Sequence, residues 1–142
     1  MRKYVFMAGC AALLLGGWMN VASADDSLMS KFGGRDGLQK IVDDSVDLWA
    51  KDPRISKNFV NANLPHLKAM LGDQFCGLLN GGCTYSGLDM KSAHTGRNLG
   101  NADFNSLAED LQIVLDQHGV PFLAQNKLVG QLAAMQRDVV TR

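Results

Sequence analysis

Apolar residues recur at three- and four-residue intervals through most of the chain, and this periodicity restricts the chain to helical folds. Four segments carry the spacing: Leu38, Ile41, Val42 and Trp49; Leu64, Leu67, Leu71, Phe75 and Leu78; Phe104, Leu107, Leu111 and Val114; and Leu128, Leu132, Met135 and Val139. Such spacing puts the apolar side chains on one face of a helix, whereas a half-buried strand alternates every second residue. No segment alternates, so we predict an all-α domain of five or six short helices.

Local signals set the expected helix boundaries. Pro53 ends the first helix, because proline disfavours helical geometry in the residue before it. A short helix to Phe59 is expected to follow. Asn63 is expected to cap the next helix, with Pro65 tolerated in its first turn. Asn101 is expected to cap a further helix, which ends at Gly119. The last apolar segment predicts one continuous helix.

The first 24 residues have the pattern of a secretory signal peptide. Arg2 and Lys3 precede an uncharged apolar run that ends in Ala22-Ser23-Ala24, the small-residue site that a signal peptidase recognises. Cleavage after Ala24 would leave a periplasmic or secreted domain of residues 25–142 that does not itself span the membrane. The alternative is an uncleaved anchor, because residues 4–24 carry no charge and are just long enough to cross a bilayer.

The charge balance argues against a nucleic-acid partner. The chain has 14 basic and 14 acidic residues, and removal of Arg2 and Lys3 leaves an acidic excess of two. Proteins that bind nucleic acid through phosphate contacts carry a basic excess or a basic patch instead.

Two cysteines remain once Cys10 leaves with the signal peptide, namely Cys76 and Cys83. An even pair in an exported protein favours a disulfide, which would contribute roughly 2–3 kcal/mol to stability in the chain-entropy model. The alternative is two buried free thiols.

Several short motifs together resemble a known family. Gly33-Gly34, Phe59, Gly81-Gly82 with a following YSG, and the segment MKSAHTGRNL from Met90 to Leu99 match the group 1 truncated haemoglobins of bacteria in order and spacing. The resemblance covers about residues 28–140, although no single motif is specific. It implies a truncated globin domain, a two-over-two helical sandwich around haem b, in which His94 is the proximal iron ligand.

The resemblance also implies a haem pocket. Its expected lining residues are Phe59, Leu67, Lys68, Leu71, Phe75, Met90, Arg97, Leu99 and Phe104. Neutral imidazole is a good iron ligand, which suits the role assigned to His94. Lys68 and Arg97 match basic positions near the haem propionates, and each could equally be an ordinary surface charge. The chain lacks C-x-x-C-H, so covalent c-type attachment is not expected.

The distal side departs from the common family pattern. Oxygen-handling members place a tyrosine where this chain has Val46, preceded by Ser45, and a polar residue where it has Leu71. The missing donors argue against a dedicated oxygen carrier. Met70 borders the same apolar stripe, close to where some members supply an internal sixth ligand, so it is a candidate distal iron ligand. The alternative for Met70 is ordinary core packing.

Three functions follow from these observations. The first is an exported haem protein that transfers electrons to an unidentified redox partner or binds O2, NO or CO. The second is a nitric oxide dioxygenase or a peroxidase-like detoxifying enzyme, which needs an open sixth position and distal polar groups. The third is a helical interaction domain that has lost haem.

Overall fold

The computed structural model describes residues 27–142, so the predicted signal segment lies outside the described residues. The α-helices are α1 (Gly34–Trp49), α2 (Leu64–Leu78), α3 (Met90–His94), α4 (Asn101–Gln117), α5 (Phe122–Ala134) and α6 (Gln136–Val139), with 3-10 turns at Met29–Phe32 and Ser56–Asn58. Residues 27–142 contain no strand, which confirms the all-α class. Within the same residues, no helix combines the length and the apolar character that a membrane span requires.

Helix α1 is the centre of the packing. It contacts both α2 and α4, and it buries Leu38, Ile41, Val42, Val46 and Trp49 almost completely. Ser45 lies in the same face, is itself fully buried and donates a hydrogen bond from its hydroxyl to the Ile41 carbonyl over 2.7 Å. That internal bond satisfies the hydroxyl, so a serine fits in the apolar face.

Two predicted helix starts have different outcomes. Asn63 caps α2 as expected, because its side-chain oxygen accepts from the His66 backbone N–H at 3.1 Å. Asn101 does not cap α4, since it is already the first helical residue. The cap is Gly100, whose N–H donates to Asp103 Oδ2 at 2.9 Å, and this bond is the main reason that the pKa of Asp103 lies below its usual value. The Asp103 carboxylate thus satisfies the N–H of the cap residue, whereas Gly100 has no side chain that could accept from the first-turn N–H groups as Asn101 was expected to do.

The prediction of one continuous last helix was wrong. Helix α5 ends at Ala134 and α6 begins at Gln136, with the backbone N–H of Met135 bonded three residues back to the Leu132 carbonyl at 3.0 Å. No proline or glycine marks this break, so local sequence signals could not reveal it. The short helix α6 packs on α3, which makes the break part of the support for the candidate site.

Candidate functional site

The short helix α3 carries His94 at its C-terminal end. Asp89 caps the helix, because its Oδ1 accepts from the Ser92 N–H at 2.9 Å and its Oδ2 accepts from the Ser92 hydroxyl at 2.6 Å. The side-chain bond from Ser92, followed by the backbone bond, lowers the pKa of Asp89. A carboxylate that stays ionised keeps this cap intact, so the five-residue helix holds His94 in a defined orientation.

The His94 ring makes one hydrogen bond within its own helix. Its Nδ1 lies 2.7 Å from the Met90 carbonyl oxygen, and the ring is half-buried. A carbonyl only accepts, so Nδ1 carries the proton and Nε2 of the neutral ring presents a lone pair. A hydrogen bond at one ring nitrogen that fixes the tautomer and leaves the other free is the arrangement found in metal-binding histidines.

Gln74 shows which face of α2 is turned towards α3. Its side chain is only 8% exposed, and its amide nitrogen lies 3.3 Å from Met90 Sδ and 4.0 Å from Met135 Sδ. Thioether sulfur is a weak acceptor, so this buried amide has no strong partner. Met70 precedes Gln74 by four residues and Leu71 precedes it by three, which places both on the same face, one turn nearer the N-terminus of α2.

Several of the apolar side chains predicted to line the pocket are covered less completely than those of the core. The half-buried set comprises Leu67, Met70 and Leu71 on α2, Met90 on α3, Leu99, and Phe104 on α4. The same chain buries the inward side chains of α1 almost entirely. Incompletely covered apolar residues from three helices are typical of a site for a flat apolar ligand, and His94 offers a free ring nitrogen to a metal.

The residues at the predicted distal positions of α1 offer no hydrogen-bond donor. Val46 is fully buried, and the Ser45 hydroxyl is engaged by the Ile41 carbonyl. Neither residue can therefore donate to a ligand bound near His94. The described residues also contain no group of three or more His, Cys, Asp or Glu side chains that could hold a metal by themselves.

The aromatic pocket residues have clear places in the structure. Phe59 is half-buried and stacks on Trp49, with ring centroids 6.2 Å apart, and the Trp49 indole N–H donates to the Leu107 carbonyl at 3.1 Å. Phe75 lies in the hydrophobic core at 2% exposure, with much less free surface than Leu67 or Leu71.

The two basic residues assigned to propionates have protein partners. Lys68 Nζ forms an ion pair with Asp47 Oδ1 at 2.8 Å, which links α2 to α1. Arg97 is exposed, and its Nε donates to the Ala93 carbonyl at 2.9 Å. Lys68 is thus paired with a residue of α1. The Arg97 side chain is exposed to solvent, and Arg97 follows His94 by three residues in the sequence.

Cys76 and Cys83 are joined in a disulfide, as predicted from the cysteine count. Their Cα atoms are 5.6 Å apart, which is within the ordinary range. Arg35 donates to both sulfurs and forms an ion pair with Asp73. The bond ties the C-terminal end of α2 to the loop that leads to α3.

Gln74 and Met135 were missed as site residues by the sequence reasoning. From the sequence, a single glutamine beside an apolar stripe is predicted to lie at the border of the solvent-exposed side of the helix. The available signal was its four-residue spacing from Met70, which puts it on the same face as the candidate ligand. Met135 was assigned to the packing stripe of a continuous helix, and its position opposite Gln74 depends on the unforeseen break before α6.

This chain is similar in sequence to a known protein family and its members. The family model of the bacterial-like globins matches residues 27–141. A group 1 truncated haemoglobin from Mycolicibacterium paratuberculosis is 27% identical over 115 residues, which cover 81% of this chain and 85% of the relative.

Solved structures agree with the sequence relatives. The ferric truncated haemoglobin of Tetrahymena pyriformis superposes with a TM-score of 0.77 at 26% identity, covering 82% of this chain and 99% of that one. The 2/2 haemoglobin of Synechococcus sp. PCC 7002, solved with covalently attached haem, gives a TM-score of 0.75 at 24% identity, with coverage of 82% and 99%. These matches confirm the expected two-over-two helical sandwich.

Proposed function

The chain belongs to the bacterial-like globin family, and from that premise we propose that it is a haem b protein whose iron is held by His94 Nε2. The observation that carries the proposal is the 2.7 Å contact between His94 Nδ1 and the Met90 carbonyl. This contact leaves Nε2 as the ligating atom beside half-covered apolar side chains. Membership of a globin family implies haem, and the donor set of this site fits it.

Met70 is our proposed sixth ligand. It shares a face of α2 with Gln74, and Gln74 reaches Met90 at the first residue of the helix that carries His94. That contact supports placing Met70 towards the region in front of His94. A thioether is a soft ligand that raises the reduction potential of haem iron.

The residues of the chain then have separate roles. His94 and Met70 would hold the iron, Leu67 and Leu71 would exclude water from it, and the Met90 carbonyl would hold the imidazole tautomer. Bound haem would supply a reversible one-electron change between ferric and ferrous iron. Exclusion of water and retention of both ligands favour such a change, because little has to move when the electron arrives.

Electron transfer, or redox and diatomic gas binding, is therefore our proposed activity. The gases are O2, NO and CO, which would compete with Met70 for the iron. A charge-assisted hydrogen bond to a bound gas is worth roughly 1.5–3 kcal/mol, and the buried pair Ser45 and Val46 provides none. This favours CO and NO, which need such bonds less than O2, and it argues against a dioxygenase or a peroxidase-like enzyme.

We propose that residues 1–24 deliver the domain across the cytoplasmic membrane, where an unidentified redox partner would meet it. Support comes from the sequence pattern and from the Cys76–Cys83 disulfide, since such bonds persist in oxidising compartments.

The test is the absorption spectrum of residues 25–142 with haem supplied, in the ferric and ferrous states. We expect a six-coordinate low-spin spectrum in the unchanged protein and a high-spin spectrum in Met70→Leu. Met29→Leu is the matched control, because this methionine packs against the core near Gly81 and should leave the spectrum unchanged. His94→Ala should abolish stoichiometric uptake of haem while far-ultraviolet circular dichroism stays helical.

Other outcomes identify the alternatives. High-spin spectra in both the unchanged protein and Met70→Leu would mean that Met70 is core packing, and an open iron would direct attention to gas chemistry or detoxifying catalysis. Failure of the unchanged protein to take up haem would contradict the proposal and leave a helical interaction domain.

A further inference from the structure

The N-terminal end of α5 exposes two large apolar side chains. Phe122 is 72% exposed and Leu123 is 78% exposed, and they are consecutive in sequence. Single exposed apolar residues are normal on protein surfaces. An adjacent pair beside an apolar groove instead forms a contiguous apolar patch, and the contact of such a patch with water is unfavourable in free energy.

A shallow groove of about 450 Å³ continues this patch. Leu123 lines it together with Leu28 from the start of the described chain, and Lys31 and Lys127 line it as well. We name Leu28, Lys31, Phe122, Leu123 and Lys127 the α5 face. It combines an apolar centre with two ammonium groups, and it belongs to elements other than α3, which carries His94.

A short stretch of chain connects the uncharged N-terminal segment to Leu28 of the α5 face. Residues 4–24 provide 21 residues without a charge, and a helix of about 20 residues crosses the hydrocarbon core of a bilayer. Only residues 25–27 separate Ala24 from Leu28. Even a fully extended chain spans at most about 3.6 Å per residue, so Leu28 must lie within about 14 Å of Ala24.

We propose that the α5 face docks the globin domain onto the bilayer to which residues 4–24 attach it. Phe122 and Leu123 enter the boundary between lipid headgroups and acyl chains, as the apolar side chains of interfacial helices do. Lys127 lies at the level of the lipid phosphates, with its stem along the apolar surface. The short connection holds the face at the membrane, so this small patch needs no high affinity of its own.

Residues 1–24 are either cleaved off after Ala24 or retained as a membrane anchor. Docking of the α5 face requires that they are retained, because a cleaved domain would lose the connection that brings the face to the bilayer. The result is a globin held at the outer surface of the cytoplasmic membrane, in a fixed orientation.

The test uses the full chain with Cys10→Ser, reconstituted in vesicles of phosphatidylethanolamine and phosphatidylglycerol. A single environment-sensitive fluorophore is placed on Leu123→Cys or, as the matched control, on Val60→Cys. Val60 is 77% exposed, almost the same as Leu123, and is not part of the α5 face. Cys76 and Cys83 are bonded to each other and do not react with the label.

We expect blue-shifted emission at position 123, with strong quenching by bromine-labelled lipids and little quenching by aqueous iodide. The label at position 60 should show the opposite pattern. Equal behaviour of the two labels would overturn the proposal. Protection of position 123 from iodide without quenching by the lipids would also overturn it, because a protein contact would then cover the face. Recovery of the natural chain from cells, cleaved after Ala24 and free of membranes, would do the same.

Discussion

Reduction of the Cys76–Cys83 disulfide is a direct perturbation of the helix that carries Met70. The bond joins residues seven apart, from the fully buried end of α2 to the half-exposed loop beyond it. Reduction changes no side-chain volume in the core, unlike substitution of a buried cysteine. The main expected effect is on the unfolded chain, which gains the freedom that the closed loop had removed.

The size of this effect follows from the loop length. The chain-entropy relation gives about 8 cal/mol/K for cysteines seven residues apart, or about 2.4 kcal/mol at 25 °C. For a domain of this length, a loss of that size lowers the midpoint of thermal unfolding by about 10 °C. Arg35 donates to both sulfurs, and its ion pair with Asp73 is partly exposed and contributes little.

The assay is urea unfolding of residues 25–142 with and without a phosphine reductant, followed by circular dichroism. We expect the reduced protein to unfold at lower urea, with a slightly larger dependence of the unfolding free energy on urea because its unfolded chain is less compact. The variant Cys76→Ala/Cys83→Ala should not respond to the reductant. Equal midpoints for the oxidised and reduced protein, with both thiols titrated as free, would refute the entropic reasoning.

Three further changes test other parts of the fold by urea unfolding. Burial, and after it the negative charge of Asp52, raises the pKa of Asp110, so the free energy of unfolding falls as pH rises through that pKa. The free energy of unfolding of Asp110→Asn should equal that of the unchanged protein near pH 3 and exceed it increasingly towards neutral pH. A difference that stays constant with pH would contradict this reasoning. Asn63→Ala should cost about 1 kcal/mol by removing the cap of α2, whereas Asn63→Asp should cost much less. Gly37→Ala should lower the free energy of unfolding by about 1–3 kcal/mol, because the added Cβ would collide with the Phe32 carbonyl. Gly130→Ala, where the added Cβ meets open space, should raise it by about 0.5–1 kcal/mol. Equal effects of the two substitutions would contradict the steric argument.

The helical fold was predictable because the signals that define it are local. The apolar spacing of α1, the cap at Asn63 and the absence of alternation depend only on neighbours in sequence. The errors concern details that no residue type marks. Asn101 was expected to cap α4, but the cap is Gly100, and the chain breaks at Met135 without any local breaking residue.

The candidate site was only partly predictable. His94 was found through the family resemblance, since a single histidine near glycine is otherwise an ordinary surface residue. Its bond to the Met90 carbonyl spans four residues and needs a helix to form, so it becomes visible only in the structure. Gln74 lies between the sulfur of Met90 on α3 and the sulfur of Met135 at the break between α5 and α6, and no local pattern brings these three residues together.

A difference in burial between two similar helices indicates where the ligand belongs. Helices α1 and α2 carry comparable apolar stripes, and the sequence alone treats them alike. The structure buries α1 because α2 and α4 cover it, whereas Leu67, Met70 and Leu71 of α2 stay half-covered. Apolar surface that the protein leaves uncovered costs about 25 cal/mol for each Å², so a bound haem would recover that free energy on the same residues that position its iron. Haem uptake should therefore raise the stability of the domain, and the mutations that weaken uptake should lower the gain in proportion.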